Sequence, residues 1–207
     1  MADKIPIEGI DDRLKNGKNH AVITGGKGFR EREENDFYAT PEGATRLFLD
    51  NHKIDAETFL EPACGQGHIS KVLEEYFHGT EIISTDLIDR GFGISGIDFL
   101  TNCFKKVDVV ITNPPFKLAK EFIEKSLTIA NKQVIMFAKI QFLETETRKQ
   151  LSKNTPLKYV YIHSKRVSPM RGGNPLDENG KPWSSAMCFA WFVWEKGYAG
   201  EPVIRFL

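Results

Sequence analysis

Residues 58–77 read TFLEPACGQGHISKVLEEYF and combine a short apolar strand, a glycine turn and a helix. Thr58–Glu61 is predicted as the strand. After the turn, apolar residues recur at i, i+3, i+4, i+7 and i+8, which predicts a helix over His68–Phe77. The turn itself contains Gly65 and Gly67. A strand that passes through a glycine turn into a helix is typical of the first half of a β-α-β unit.

The same alternation continues along the chain and decides the fold class. Further strands are predicted at Glu81–Thr85, Val107–Thr112, Val134–Ala138 and Leu157–His163, with helices over 119–130 and Glu144–Leu151. Strands and helices that alternate at this spacing indicate a doubly wound, mostly parallel α/β sheet of Rossmann-like type. The last two strand-like runs, Met187–Trp194 and Val203–Phe206, have only a glycine-containing turn between them, which predicts an antiparallel C-terminal edge hairpin.

The composition predicts one globular domain with a polar lead-in. The chain has 207 residues, of which 41% are hydrophobic. Residues 1–36 are polar and without periodicity, so we interpret them as a flexible N-terminal arm, and residues 37–207 as a single domain. Residues 168–184 contain three prolines and three glycines, and a loop of this length is often functional. We interpret it as a candidate substrate loop, the alternative being a mobile surface excursion.

The charge of the chain is balanced overall but not along its length. The 28 Lys and Arg residues equal the 28 Asp and Glu residues, which argues against a simple basic nucleic-acid clamp. Residues 1–100 hold 11 basic and 19 acidic side chains, a net charge of −8, and residues 101–207 hold 17 and 9, a net charge of +8. This polarity is compatible with a polyanionic partner for the second half.

No apolar run approaches the roughly 18 residues that a membrane span needs, and the first residues lack a hydrophobic signal core. The three cysteines, Cys64, Cys103 and Cys188, are far apart and form no Cys-x-x-Cys pair. We therefore expect no membrane contact, no disulfide framework and no metal site, and a reducing cytoplasmic location.

The glycine turn and the acids after the next strand indicate a nucleotide-like ligand. A glycine turn lets backbone approach a ligand, and the helix N-terminus that follows offers unpaired N–H groups to an anion. Asp86, 21 residues after Gly65, could accept hydrogen bonds from ribose hydroxyls. Asp98 and Phe99 could bond an adenine amine and stack on its ring. Asp98 could equally cap the segment that it begins.

Val107–Thr112 is a continuous apolar strand that runs into Asn113-Pro114-Pro115-Phe116. The two prolines stiffen the backbone and remove two N–H donors, so that carbonyl acceptors remain beside the Asn113 amide. Such a cluster suits a planar amine that donates two hydrogen bonds, with Phe116 available to stack on its ring. The alternative is a strand that simply ends in proline.

These motifs together resemble the class I S-adenosylmethionine-dependent methyltransferases, and most closely the N6-adenine DNA methyltransferases of bacterial and phage type. The resemblance covers roughly Asp36–Trp194. It implies cofactor-binding roles for three groups of residues: the N-terminal motif, the methionine-binding loop, and the ribose and adenine contacts. They are Tyr38, Thr40 and Pro41; Glu61, Pro62, Ala63, Gly65 and Gly67; and Asp86, Asp98 and Phe99. Thr40 is also predicted to cap the helix that follows, with Pro41 in its first turn.

The resemblance further implies a catalytic role for Asn113, Pro114, Pro115 and Phe116, with transfer of a methyl group from S-adenosyl-L-methionine to adenine N6 in DNA. Basic and aromatic residues near the motif and in the substrate loop are candidate DNA contacts: Lys117, Arg171, Lys181 and Trp183. No region of domain size for target recognition follows the catalytic core. This leaves open a base in RNA, cytosine N4, a protein glutamine, or a non-catalytic binding module.

Overall fold

The computed structural model describes residues 37–144, 146, 153–184 and 187–207. All of them belong to the compact unit Glu33–Leu207. The predicted arm of residues 1–36 lies outside the described residues, and so does most of the predicted helix Glu144–Leu151.

Nine strands and three α-helices make up the described part of the chain, and two short 3₁₀ helices follow β4 and β5. In chain order they are β1 (Tyr38–Ala39), α1 (Glu42–Asn51), β2 (Thr58–Glu61), α2 (His68–Tyr76), β3 (Glu81–Ser84), β4 (Val107–Thr112), α3 (Ala119–Ile129), β5 (Ala130–Lys139), β6 (Leu157–Ile162), β7 (Met170–Arg171), β8 (Phe189–Glu195) and β9 (Val203–Phe206); the 3₁₀ helices are Phe116–Leu118 and Ile140–Leu143. The seven strands predicted from sequence agree with β2–β6, β8 and β9 to within four residues at each end, and the two short strands β1 and β7 were not predicted.

Seven of the strands form one sheet in the order β3-β2-β4-β5-β8-β6-β9. Four of the six neighbouring pairs are parallel and two are antiparallel. The predicted fold class, a mostly parallel doubly wound α/β sheet, is confirmed. The chain runs outward from β2 to β3 and then returns to β4 on the other side of β2. At such a reversal the loops at the carboxyl ends diverge and leave a crevice for a ligand.

Alternating side chains of the strands supply two hydrophobic cores, one on each face of the sheet. Phe59, Val109 and Trp191 pack with α1 and α2 on one face. Leu60 and Val110, from the same strands, pack with α3 on the other face. Because both faces are covered, these strands are apolar at successive positions rather than at every second one.

The C-terminal strands differ from the predicted hairpin. Strand β8 pairs antiparallel with both β5 and β6, and β9 pairs in parallel with β6 at the edge of the sheet. Therefore β6 lies between the two strands that were predicted to be partners. The physical reason lies in their composition: Phe189–Trp194 is buried at every position and needs cover on both faces, whereas all four residues of β9 are exposed.

A separate two-stranded ribbon joins the start of the described chain to the candidate substrate loop. Strand β1 pairs antiparallel with β7, with Tyr38 opposite Arg171 and Ala39 opposite Met170. The Gly172 N–H also donates to the Phe37 carbonyl at 3.2 Å. The loop 168–184 is therefore anchored at one end to the segment that leads into α1.

Candidate active site

A cleft lies at the carboxyl ends of β2, β3 and β4. Eight of the predicted cofactor residues line it: Tyr38, Thr40, Glu61, Pro62, Ala63, Asp86, Asp98 and Phe99. From the predicted catalytic motif, Asn113 and Pro115 line it as well. Gly65 and Gly67 form the turn beside the cleft rather than its lining, and Pro41 lies outside the lining. The carboxyl ends of parallel strands therefore bring together residues that are far apart in sequence.

The two glycines of the turn are required by the chain's own aromatic rings. Both have positive φ, +56° at Gly65 and +80° at Gly67. A Cβ atom at Gly65 would lie 2.5 Å from the ring of Phe37, and one at Gly67 would lie 2.6 Å from the ring of Phe92. The sequence predicted that a ligand would approach the backbone of this turn closely; in the structure, the rings of Phe37 and Phe92 do so. The Arg90 guanidinium lies 4.0 Å from the centre of the Phe37 ring.

Glu61 is a buried carboxyl group at the floor of the cleft, and only 2% of its surface is exposed. Its Oε2 accepts hydrogen bonds from the Ser70 backbone N–H, at 2.9 Å, and from the Ser70 hydroxyl. Burial raises the pKa of Glu61 to about 8, more than the two Ser70 bonds lower it. At neutral pH this carboxyl group is therefore largely protonated, and a cationic ligand in the cleft would favour its ionised form.

Asp86 follows β3 and binds the glycine turn. Its Oδ2 accepts from the Gly65 N–H at 2.8 Å, and its Oδ1 accepts from the Ile88 N–H at 2.8 Å. Each carboxylate oxygen retains a further lone pair. The acid therefore holds two loops of the cleft together and can still accept a hydrogen bond from a hydroxyl group.

Asp98 has the capping geometry that was its alternative interpretation. Its Oδ1 accepts from the Leu100 N–H at 2.9 Å and its Oδ2 from the Thr101 hydroxyl at 3.1 Å. Phe99, which follows it, is only 2% exposed and packs against Phe104 and Phe122. Both residues also line the cleft, so the capping role and a ligand contact are compatible.

Thr40 does not cap α1, contrary to the prediction. Helix α1 begins after Pro41 with no side-chain cap. The Thr40 hydroxyl instead accepts a hydrogen bond from Asn113 Nδ2 at 3.0 Å, and the same amide donates to the Tyr38 carbonyl at 2.7 Å. The Thr40 hydroxyl, which was predicted to cap α1, is therefore bonded to a residue 73 positions away in the sequence.

A second cavity borders the predicted catalytic motif at Phe116. Tyr38 lines both cavities, and Phe116 lines the second. Arg171 and Trp183, two of the predicted substrate residues, also line it, and the Arg171 guanidinium lies 5.2 Å from the Trp183 ring centre. The candidate loop and the catalytic motif therefore share one cavity.

The ring of Phe116 already has neighbours. It stacks on Tyr38 with ring centres 5.4 Å apart and an interplanar angle of 24°, and the Lys139 ammonium lies 4.1 Å from its centre. Because stacked ring centres are roughly 4.5 to 7 Å apart, no third ring fits between Tyr38 and Phe116. Because Phe116 lines the second cavity, an acceptor ring in that cavity can contact its remaining surface.

The remaining predicted residues are not part of either lining. The ring of Pro114 is buried between Asn113 and Pro115, which do line the cleft, and Lys117 and Lys181 are exposed on the surface. Sequence reasoning missed several residues that line or cover the cavities: Phe37, Arg90, Phe92, Lys139 and Phe189. The only sequence signal for Lys139 was its position at the carboxyl end of an apolar strand beside β4.

Neither a metal-binding cluster nor a membrane-spanning helix occurs within the described residues. No group of three or more His, Cys, Asp or Glu side chains there converges to hold a metal ion. In the same part of the chain, no helix combines the length and apolarity that crossing a membrane requires.

No protein-family model matches the chain, and no curated protein matches its sequence. Several solved structures share its fold. A structure of a candidate RNA methyltransferase from Pyrococcus horikoshii is 18% identical, with a TM-score of 0.58, over 84% of this chain and 94% of that one. The modification subunit of a candidate type I restriction enzyme from Vibrio vulnificus is 13% identical, with a TM-score of 0.57, over 82% of this chain and 47% of that one.

A third structure, a candidate O-methyltransferase from Agrobacterium tumefaciens, is 12% identical, with a TM-score of 0.51, over 74% of this chain and 80% of that one. The chain spans about half the length of the Vibrio vulnificus subunit and most of the length of the Pyrococcus horikoshii protein. At these identities the likeness shows the fold, and the fold is the Rossmann-like fold of methyltransferases.

Proposed function

We propose that the chain transfers a methyl group from S-adenosyl-L-methionine to the exocyclic N6 amine of adenine in DNA. The observation that carries the proposal is the position of the Asn113–Phe116 segment. Asn113 and Pro115 line the cleft at the carboxyl ends of the strands, and Phe116 lines the second cavity. A donor and an acceptor held in these two cavities would meet at this segment.

The first cleft fits the donor molecule. Its lining is mostly apolar with a few carboxyl groups, Glu61, Asp86 and Asp98, which is the composition of small-molecule sites. Asp86 would accept hydrogen bonds from the ribose, and Glu61 would face the positively charged part of the ligand. Phe99 and Ile97 would contact the adenine. When bound, S-adenosyl-L-methionine supplies a methyl group on a positively charged sulfur.

The catalytic motif would act by holding the acceptor amine. The lone pair of an exocyclic amine is delocalised into its ring, so the nitrogen is a poor nucleophile until it is positioned. Asn113 Oδ1 and the Pro114 carbonyl would accept its two N–H groups. The nitrogen then forms a bond to the methyl carbon, the carbon–sulfur bond breaks with its electron pair returning to sulfur, and one proton leaves the nitrogen for solvent.

A covalent cysteine route is disfavoured by the state of Cys64. Cys64 lines the cleft, and burial raises the pKa of its thiol to about 12. Only the thiolate is a good nucleophile, so this thiol is inert at neutral pH. Cys103 and Cys188 are exposed and line neither cavity. Direct transfer to nitrogen therefore suits this site better than attack through sulfur.

DNA as the substrate is supported by the basic and aromatic groups around the second cavity. Arg171 and Trp183 line it, and Lys117 and Lys181 are exposed on neighbouring segments. A base must leave the duplex to enter such a cavity, and phosphate contacts from lysines would hold the strand meanwhile. The structure from Vibrio vulnificus, with which the chain shares its fold, is described as the modification subunit of a candidate type I restriction enzyme.

A base in RNA is the second candidate. The Pyrococcus horikoshii structure is described as an RNA methyltransferase, and the alignment with it covers most of both chains. Both candidates use the same amine chemistry at Asn113 and differ in the polymer that presents the base. The other acceptors, cytosine N4 and a glutamine side chain, have a planar amine of the same kind.

The proposal is tested by identifying the methylated product. The full chain is incubated with methyl-labelled S-adenosyl-L-methionine and a mixture of DNA, RNA and protein, and each fraction is digested and separated. We expect label in N6-methyl-deoxyadenosine, and none with Asn113→Ala. Label only in RNA nucleosides would favour the second candidate. The absence of label from every fraction would support a non-catalytic binding module.

A further inference from the structure

The two N–H groups of the Asn113 side chain are both engaged by one short segment. Asn113 Nδ2 lies 2.7 Å from the Tyr38 carbonyl oxygen and 3.0 Å from the Thr40 hydroxyl oxygen. Thr40 is only 2% exposed, so water does not compete for its hydroxyl. We call residues 38–40, the β1 strand and the residue after it, the strap.

These contacts fix which end of the amide faces the strap. A backbone carbonyl can only accept a hydrogen bond, so the amide atom 2.7 Å from it must be the nitrogen. The oxygen Oδ1 then lies at the other end of the amide. Within the part of the chain that the structure describes, no hydrogen bond reaches Asn113 Oδ1. The Asn113 side chain can therefore accept a hydrogen bond at Oδ1, while both of its N–H groups are already bonded.

We infer that Thr40 is a positioning residue for catalysis: its hydroxyl, with the Tyr38 carbonyl, locks the Asn113 amide so that Oδ1 alone meets the incoming amine. The inference rests on the proposed function. An amide that turned over would present N–H groups to an amine, and two sets of donors would then face each other. The hydrogen bonds from the strap prevent the Asn113 amide from turning over, so its N–H groups do not face the acceptor amine.

The substrate loop supports the strap from the other side. Tyr38 pairs with Arg171 in the β1–β7 ribbon, and Phe37 accepts a bond from Gly172. The carbonyl that orients Asn113 therefore belongs to a strand whose partner lies in the candidate substrate loop. This places the orienting oxygen on a two-stranded element rather than on a free chain segment.

The first test compares three threonine variants. Thr40→Val keeps the shape and removes the hydroxyl, and we expect the transfer rate kcat to fall about 10- to 100-fold. Although Thr40 lines the donor cleft, its hydroxyl is bonded to Asn113, so the Kd of S-adenosyl-L-methionine should change less than about threefold. Thr40→Ser keeps the hydroxyl and should restore the rate. Thr45→Val is the matched control, because Thr45 is fully buried on α1 with an unpartnered hydroxyl. It should leave both quantities unchanged.

The second test is Asn113→Asp. A carboxylate accepts a hydrogen bond from an amine as well as an amide oxygen does, but here one of its oxygens would face the Tyr38 carbonyl with no proton between them. We expect transfer to fall at least 100-fold at pH 7.5. Activity like that of the wild type would show that the bonds to the strap are unimportant and would overturn the inference.

The third test needs no catalysis. The side-chain amide protons of Asn113 can be identified by NMR from their loss in Asn113→Ala, and their exchange with solvent measured in the free protein. We expect slow exchange in wild type and Thr40→Ser, and faster exchange in Thr40→Val. Equal exchange in all three overturns the positioning role. A wild-type protein with slow exchange and no methyl transfer would refute the proposed function instead, so the two failures are distinguishable.

Discussion

Some polar side chains at this site could form a hydrogen bond either to a nearby residue in the sequence or to a distant one. In the fold, Thr40 bonds a distant residue and Asp98 bonds its neighbours. Thr40 followed by Pro41 and Glu42 has the pattern of a helix start, yet its hydroxyl bonds the Asn113 amide. Asp98 keeps its local capping bonds while it lines the cleft. A hydrogen bond to a neighbouring residue can be predicted from sequence. A bond to a residue 73 positions away cannot, because the folded sheet is what brings the two together.

Glu61 gives a prediction at the residue scale, because its pKa is raised to about 8 from an ordinary value of 4.5. Between these two pH values the unfolded chain has lost the proton and the folded chain retains it. The free energy of unfolding should therefore fall as pH rises from 4.5 to 8, by up to about 1.4 kcal/mol per pH unit, and become level above 8. Glu61→Gln removes this titration.

The measurement is the thermal midpoint of the ligand-free protein at several pH values. We expect the thermal midpoint of wild type to fall relative to that of Glu61→Gln on going from pH 5 to pH 8. Curves for the two proteins that stay parallel over this range would show that Glu61 ionises normally in the folded state.

Single elements were well predicted from sequence, and their partners less so. Strands β2, β4 and β9 have the predicted bounds because each is a short apolar run limited by turn residues or charges. The antiparallel direction of the last two strands followed from the short connection between them. The position of β6 between them could not be predicted in this way. It depends on which strand must be buried on both sides, and that is decided by the whole sheet.

The loop between β3 and β4 provides a prediction at the scale of an element. Gly93, with φ +68°, packs against the Ser84 carbonyl, and an added Cβ would lie 2.6 Å from that oxygen and 2.8 Å from Cys64 Sγ. Gly91 has a similar φ of +79° and open space around it. Both alanine variants incur the cost of left-handed backbone, about 1 to 2 kcal/mol, but only Gly93→Ala also collides with backbone.

We therefore expect Gly93→Ala to lower the thermal midpoint more than Gly91→Ala. Because this loop carries Ile88, Arg90 and Ile97 of the cleft lining, Gly93→Ala should also weaken binding of S-adenosyl-L-methionine, whereas Gly91→Ala should not. Equal effects of the two substitutions on stability and on binding would mean that the loop does not brace the cleft. Calorimetry of both variants gives the two quantities.

At the scale of the whole molecule, the two halves of the sequence supply different parts of the site. Glu61, Asp86 and Asp98 come from the acidic half, and the catalytic motif and the substrate loop come from the basic half. The zero net charge of the chain is thus the sum of an acidic segment that holds most of the proposed cofactor residues and a basic segment that holds the proposed acceptor residues. Neutrality by itself gives no argument against a nucleic-acid substrate.

The salt dependence of DNA binding tests this division. If Lys117 and Lys181 contact phosphates, each change to glutamine should reduce the slope of log K against log salt by about 1. Lys53→Gln is the control, since Lys53 follows α1 and lines a third cavity that shares no lining residue with the other two. A slope that is unchanged in all three variants would remove these lysines from the DNA interface.

The central claim is that one cleft binds the methyl donor and the other cavity binds the acceptor. Calorimetric titration of wild type, Asp86→Ala and Phe116→Ala with S-adenosyl-L-methionine tests it most directly. We predict one site in wild type, binding at least about tenfold weaker in Asp86→Ala, and binding within about threefold of wild type in Phe116→Ala. Failure of wild type to bind, or loss of binding in Phe116→Ala with full binding in Asp86→Ala, would contradict the account.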